Sequence, residues 1–102
     1  MMLNLIDLIP EEKVKDEEDL IEKCHEIIKQ IYPDLLIRWA KIYGNRWSFI
    51  RGDQTGLSLA MEKHQLTKSV GILLDNPEIL TPEQKEELLN GLKEAFLNAK
   101  YV

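Results

Sequence analysis

Three residues of the chain have side chains suited to nucleophilic or acid–base work near neutral pH: Cys24, His25 and His64. A catalytic cysteine needs a base within hydrogen-bond reach and surroundings that lower its pKa. Cys24 and His25 are neighbours, so on a helix their side chains diverge by about 100° and do not form a nucleophile–base pair. Cys24 instead falls in step with Leu20, Ile27, Ile28 and Ile31, which predicts a small buried hydrophobe. His64 follows Glu62 and Lys63 and would join Glu62, Asp75 or Cys24 in acid–base chemistry only if a cleft assembled them. A small enzyme using His64 with a carboxylate or Cys24 is therefore one reading, but so few convergent groups favour a protein that is not an enzyme.

Metal and cofactor chemistry have no pattern to stand on. One cysteine and two histidines are too few for a structural zinc site without help from carboxylates or another chain. The acidic run Asp16-Glu17-Glu18-Asp19 lacks the alternate spacing, the turn glycine and the distal glutamate of a calcium loop. No glycine-rich stretch runs into Lys-Ser or Lys-Thr to cradle a phosphate. No cofactor and no metal is expected. A lone cysteine also forms no internal disulfide and suits a reducing compartment. The apolar start Met1 to Ile9 has no basic leader, contains Asp7 and runs into Glu11-Glu12-Lys13, so a signal peptide is not expected. No stretch approaches the roughly 20 apolar residues that cross a bilayer. A cytoplasmic protein without membrane contact is the expectation.

Charge is unevenly distributed, and its placement says more than the net value of −5. Residues 7–34 carry ten acids against four lysines, whereas residues 35–51 carry Arg38, Lys41, Arg46 and Arg51 and no acid. The overlapping window 32–49 holds most of the aromatic side chains: Tyr32, Trp39, Tyr43, Trp47 and Phe49. This basic, aromatic segment is the most plausible recognition site in an acidic protein. Arg38, Arg51, Lys41 and Arg46 are its candidate anion- or partner-binding residues. Such a mixture on an open sheet stacks bases and neutralises phosphates in single-strand binders; packed inward, the same rings are simply core.

Periodicity places these residues on elements. Leu20, Cys24, Ile27, Ile28 and Ile31 predict a helix over 16–32, ended by Pro33, with acids in its first turn where the free N–H groups favour them. Thr81, Pro82 and Gln84 predict the start of a second helix running to 99, with a stripe of Leu88, Leu89, Leu92, Phe96 and Ala99. Gly91 interrupts that stripe at a cost of about 1 kcal/mol relative to Ala unless another backbone approaches it. Between the helices, 35–43 and 46–51 are rich in β-formers around Gly44-Asn45, a two-residue hairpin loop. A regular ladder then sets Arg38 opposite Arg51 and Trp39 opposite Ile50. Helical spacing of Leu35, Leu36, Trp39 and Ile42 makes a helix over 33–43 the competing assignment. Residues 57–74 alternate as strands, through Leu57, Leu59 and Met61 and then Val70, Ile72 and Leu74, but also permit a helix.

The fold expected is α+β: an antiparallel β-sheet of two to four strands flanked by an N-terminal and a C-terminal helix, forming a single compact domain over 1–102 with its ends frayed. Composition agrees, at 44% apolar and 30% charged residues with no biased tract. The residues spell out no biochemical activity. Large apolar groups on both sides of the ribbon favour a small interaction or structural module. In that reading the helices cover the Ile42/Trp47/Phe49 side, and a homodimer forms through the other side, which carries Ile37, Trp39, Ile50 and Tyr43. The segment Leu3 to Ile9 covering that side within one chain is the counter-reading. An acidic protein or single-stranded nucleic acid is the alternative partner for the basic aromatic segment.

Overall fold

The computed structural model describes residues 14–53 and 61–99. Helix α1 spans Glu17–Ile31, and its N-cap Asp16 accepts a hydrogen bond from the Asp19 N–H at 2.8 Å. Glu17, Glu18 and Asp19 occupy the first turn, where free N–H groups and the helix dipole stabilise negative charge. The Tyr32 N–H closes the last turn on the Ile28 carbonyl, and Pro33 follows, unable to supply the next N–H. Helix α2 spans Pro82–Leu97 and opens with the expected capping box: Thr81 Oγ1 accepts from the Gln84 N–H, and Gln84 Oε1 accepts from the Thr81 N–H.

Four strands lie between the helices. Strand β1 is Ile37–Tyr43 and β2 is Arg46–Gly52, joined by Gly44-Asn45 with Gly44 at φ +63°. Strand β3 is Glu62–Gln65 and β4 is Val70–Leu74. They are joined by a turn in which Thr67 Oγ1 accepts from the N–H groups of Ser69 and Val70. A 3₁₀ turn at Pro77–Ile79 leads into α2. All pairings are antiparallel in the order β2-β1-β4-β3. The protein is thus α+β, a four-stranded antiparallel sheet with one helix before it and one after it in the chain. The helix weighed for 33–43 is not formed, because β4 gives that segment a ladder on its second side. Leu57 and Leu59, like the segment Leu3 to Ile9, lie outside the described residues.

One core cluster joins both helices to one face of the sheet. It contains Leu20, Ile21, Cys24 and Ile28 of α1 and Leu88, Leu92, Ala95 and Phe96 of α2, against Ile37 and Trp39 of β1 and Val70, Ile72 and Leu74 of β4. This reverses the expected side: the helices cover Ile37 and Trp39, not Trp47 and Phe49. The reason lies in β4, whose Val70, Ile72 and Leu74 stand beside Lys41, Trp39 and Ile37, whereas Gly71 and Leu73 stand beside Ala40 and Arg38. The first side therefore offers the larger continuous apolar surface, and the two amphipathic helices bury it. Trp39 is fully buried, packs on Phe96 at 6.1 Å between ring centroids, and donates its indole N–H to His25 Nδ1 at 3.1 Å.

The β1–β2 register also departs from the regular ladder. Tyr43 pairs with Arg46 and Ala40 with Phe49, but Trp39 pairs with Arg51 and Arg38 with Gly52, leaving Ile50 as the extra residue of a bulge. One inserted residue moves everything beyond it to the other face. Arg51 consequently turns toward α1 and meets Glu22 at 3.4 Å, and it does not oppose Arg38. Gly52 fits this end of the ribbon: its φ is +130°, and a Cβ there would run into the Ile37 carbonyl.

Candidate binding surface on the open face of the sheet

The face turned away from the core cluster is built by alternation from Arg38, Ala40 and Ile42 of β1, Trp47 and Phe49 of β2, Gly71 and Leu73 of β4, and Lys63 and Gln65 of β3. Ala40, Ile42 and Leu73 are buried yet stand outside the core cluster, so a second, smaller apolar layer exists on this side. Trp47 and Phe49 are half-buried above it, with centroids 6.5 Å apart and planes tilted by 49°.

Register explains how the rings are laid. Trp47 pairs with Ile42, while Gly71 pairs with Ala40 one strand further on. The indole nevertheless crosses β1 and rests on Gly71, where an added Cβ would collide with its six-membered ring. Gly71 is therefore the absent side chain that lets the Trp47 indole reach the backbone of β4. From the far edge, Lys63 of β3 places its ammonium 5.4 Å from the Trp47 ring, and Arg38 places its guanidinium 4.7 Å from the Phe49 ring. Each cation sits over a ring face, an attraction worth roughly 0.5–1 kcal/mol at exposed positions.

The other candidate residues separate from this surface. Lys41 lies on the helix face, with Glu17 at 3.5 Å, and Arg51 meets Glu22 there. Arg46 is exposed at the hairpin end opposite Tyr43, which is 63% exposed. Ile37 and Trp39 are fully buried, while Ile50 is 39% exposed at the bulge. The interface set Ile37, Trp39, Ile50 and Tyr43 thus does not form one accessible patch, because the helices take its two central members. Of the anion-binding set, Arg38 alone stands on the open face. Lys63 belongs beside it but sits in a strand whose partners sequence spacing did not fix.

The acid–base candidates are likewise placed. Cys24 is fully buried, and burial pushes its thiol up to about 12, so it is protonated near neutral pH and is not a nucleophile. His64 does approach Glu62, at 3.8 Å, but Glu62 already receives both its hydrogen bonds from the Lys85 ammonium, at 3.1 and 3.2 Å. Burial holds His64 below its ordinary value, with Lys85 and Lys93 acting in the same direction and Glu62 against them. His25 is also held low, first by burial, and its Nδ1 is occupied as the acceptor for Trp39. Among the described residues no group of three metal-ligating side chains comes together, and no helix is long and apolar enough to cross a membrane. Compared with known proteins, the chain matches no protein family, no curated protein and no solved structure.

Proposed function

We propose that the protein is a small interaction module that docks a protein partner on the open face of its sheet. The observation that carries this reading is the pair of half-buried rings, Trp47 and Phe49, laid side by side over a shallow apolar layer and flanked by Arg38 and Lys63. Aromatic anchors with arginine beside them are the groups that most often dominate binding energy at protein contacts. Catalysis has less support, since Cys24 is sealed in the core and the Glu62 carboxylate is engaged by Lys85. The lone buried cysteine favours a reducing compartment, for which the cytoplasm is the proposed location.

Self-association is a narrower form of the same reading, and here it would have to use the open face. Two copies stacked face to face would bring two Arg38 and two Lys63 together, which costs energy in a desolvated contact. A distinct partner therefore fits better than a second copy. Single-stranded nucleic acid is the second reading, favoured by two rings at 6.5 Å beside two cations. It is weakened because each ring already has a side-chain cation over it, with which a stacking base would compete.

Selection from a random peptide-display library tests the proposal, with wild-type protein and the Trp47→Ala and Phe49→Ala variants as baits. Peptides enriched on wild type and lost on both folded variants are the expected result. Peptides that bind all three baits equally would place recognition elsewhere and reject this face. Light scattering across protein concentration tests the dimer in parallel, and an increase in mass abolished by Trp47→Glu would favour self-association over a distinct partner.

A further inference from the structure

We infer that the segment docked on the open face is acidic, with carboxylates meeting Arg38 and Lys63 while apolar side chains lie against Trp47 and Phe49. This rests on the docking proposal and adds the chemistry of the partner.

The inference comes from how cations are treated on the two sides of the sheet. On the helix face, Lys41 meets Glu17, Arg51 meets Glu22, and Lys29 of α1 meets Asp53 at 3.2 Å. In each of these pairs a residue of α1 meets an opposite charge carried on or just after a strand. The four strands contain a single carboxylate, Glu62, and it too lies on the helix face, bound to Lys85 of α2. The open face therefore has two cations and no strand carboxylate, and among the described residues Arg38 and Lys63 meet only ring faces.

A ring face leaves the donors of those cations unused. A guanidinium carries five N–H donors and an ammonium three, and a cation held over a ring still points donors outward. Carboxylates arriving from above can take them while both rings stay in place, which combines charge-assisted hydrogen bonds with existing cation–π contacts. A nucleic acid stacking its bases on these rings competes with the cations already over them, and a long polyanion meets more of the repulsion from a chain of net charge −5 than a short acidic segment does. A second copy offering the acids of its own helices would dock head to tail, a contact that closes into a ring or runs on as an open chain and does not form a two-fold dimer.

The test repeats the display selection with a charge-reversed bait, the Arg38→Glu/Lys63→Glu double variant, whose fold is first checked by circular dichroism. Wild type should enrich sequences rich in Asp and Glu interspersed with apolar residues. The reversed bait should enrich Lys and Arg instead and bind the wild-type peptides at least about tenfold more weakly. A wild-type selection of neutral or basic sequences, or the same acidic peptides bound equally by the reversed bait, would overturn the acidic assignment. The docking face would survive either result if binding were still lost in Trp47→Ala. Retention of acidic peptides by Trp47→Ala would reject the face itself. A labelled single-stranded thymidine oligonucleotide is the control, and tighter binding of it than of the acidic peptides would also overturn the inference.

Discussion

On the helix face of the sheet Trp39 is fully buried, its N–H is bonded to His25, and the nearby cations Lys41 and Arg51 meet carboxylates of α1. On the open face Trp47 is half-buried across Gly71, and the cations Lys63 and Arg38 meet the rings of Trp47 and Phe49. The same residue types, a tryptophan with two cations, thus carry out two jobs within one sheet. Where partners are supplied from within the chain, the ensemble is core. Where, among the described residues, they are not, it is a surface with apolar area and cations that meet ring faces. The difference arises in β4, whose two alternating sets of side chains are unequal.

The largest expected effect is a gap in stability between the two tryptophans. Trp39→Ala should cost about 3–5 kcal/mol, the usual range for emptying a large buried aromatic site. Trp47→Ala should cost only about 1–2 kcal/mol, in proportion to the smaller area it withdraws from water. Urea unfolding of both variants measures this, and equal losses would break the distinction between the faces.

Next in size is the polar anchor of the helix face. His25→Leu removes the acceptor of a buried indole N–H and should cost about 1–3 kcal/mol. The anchor also sets a pH dependence. Burial lowers the His25 pKa from its ordinary 6.5, with Lys29 and Arg51 reinforcing the shift and Asp53 and Glu26 opposing it. The unfolded chain therefore takes up a proton near 6.5 while the folded chain takes it up only at lower pH. Between those two values the unfolded state binds more protons, so stability falls as pH falls, and above 6.5 the contribution is complete and flat. His64 acts with the same sign. Unfolding measured at pH 7.5 and pH 5 should show the loss, reduced in part by His25→Gln and in part by His64→Gln. An unchanged slope in both variants would assign the pH dependence to other groups.

Much of this architecture was legible in the chain. Asp16 before an apolar stripe and the Thr81-Pro82-Gln84 start each act through local hydrogen bonds, which is why both helices and the Gly44-Asn45 hairpin followed from short-range spacing. The orientation of the hairpin did not, because both its sides are apolar and the deciding residues, Val70, Ile72 and Leu74, reach it only through long-range pairing with β1. The bulge at Ile50 was equally hidden: no glycine or proline stands at the bulge itself, and Gly52, where a Cβ would meet the Ile37 carbonyl, lies two residues beyond it. For the site, Arg38, Trp47 and Phe49 stood out as a basic aromatic segment. Lys63, in a short strand distant in sequence, became part of it only through the order of the sheet.

A smaller effect sharpens the electrostatic side of the comparison. In a Trp39→Phe variant that retains its fold, Trp47 is the remaining tryptophan, and its fluorescence should be quenched more strongly by iodide than by caesium because Arg38 and Lys63 raise the local potential. The Arg38→Gln/Lys63→Gln change should remove the preference while altering stability by less than about 1 kcal/mol. Quenching that ignores the sign of the quencher would mean that these cations set no positive field at the ring.

The two indole N–H signals give the most direct test of the account, since the wild-type chain carries one tryptophan on each face of its sheet. A titration of ¹⁵N-labelled protein with a synthetic peptide alternating glutamate and leucine, followed through both signals at low and moderate salt, reads the two faces together. The Trp47 signal should move saturably, less so as salt rises, while the Trp39 signal stays where it is. Movement of Trp39 with Trp47 left unchanged, or no saturable movement of either at millimolar peptide, would contradict the assignment of the open face as the binding surface.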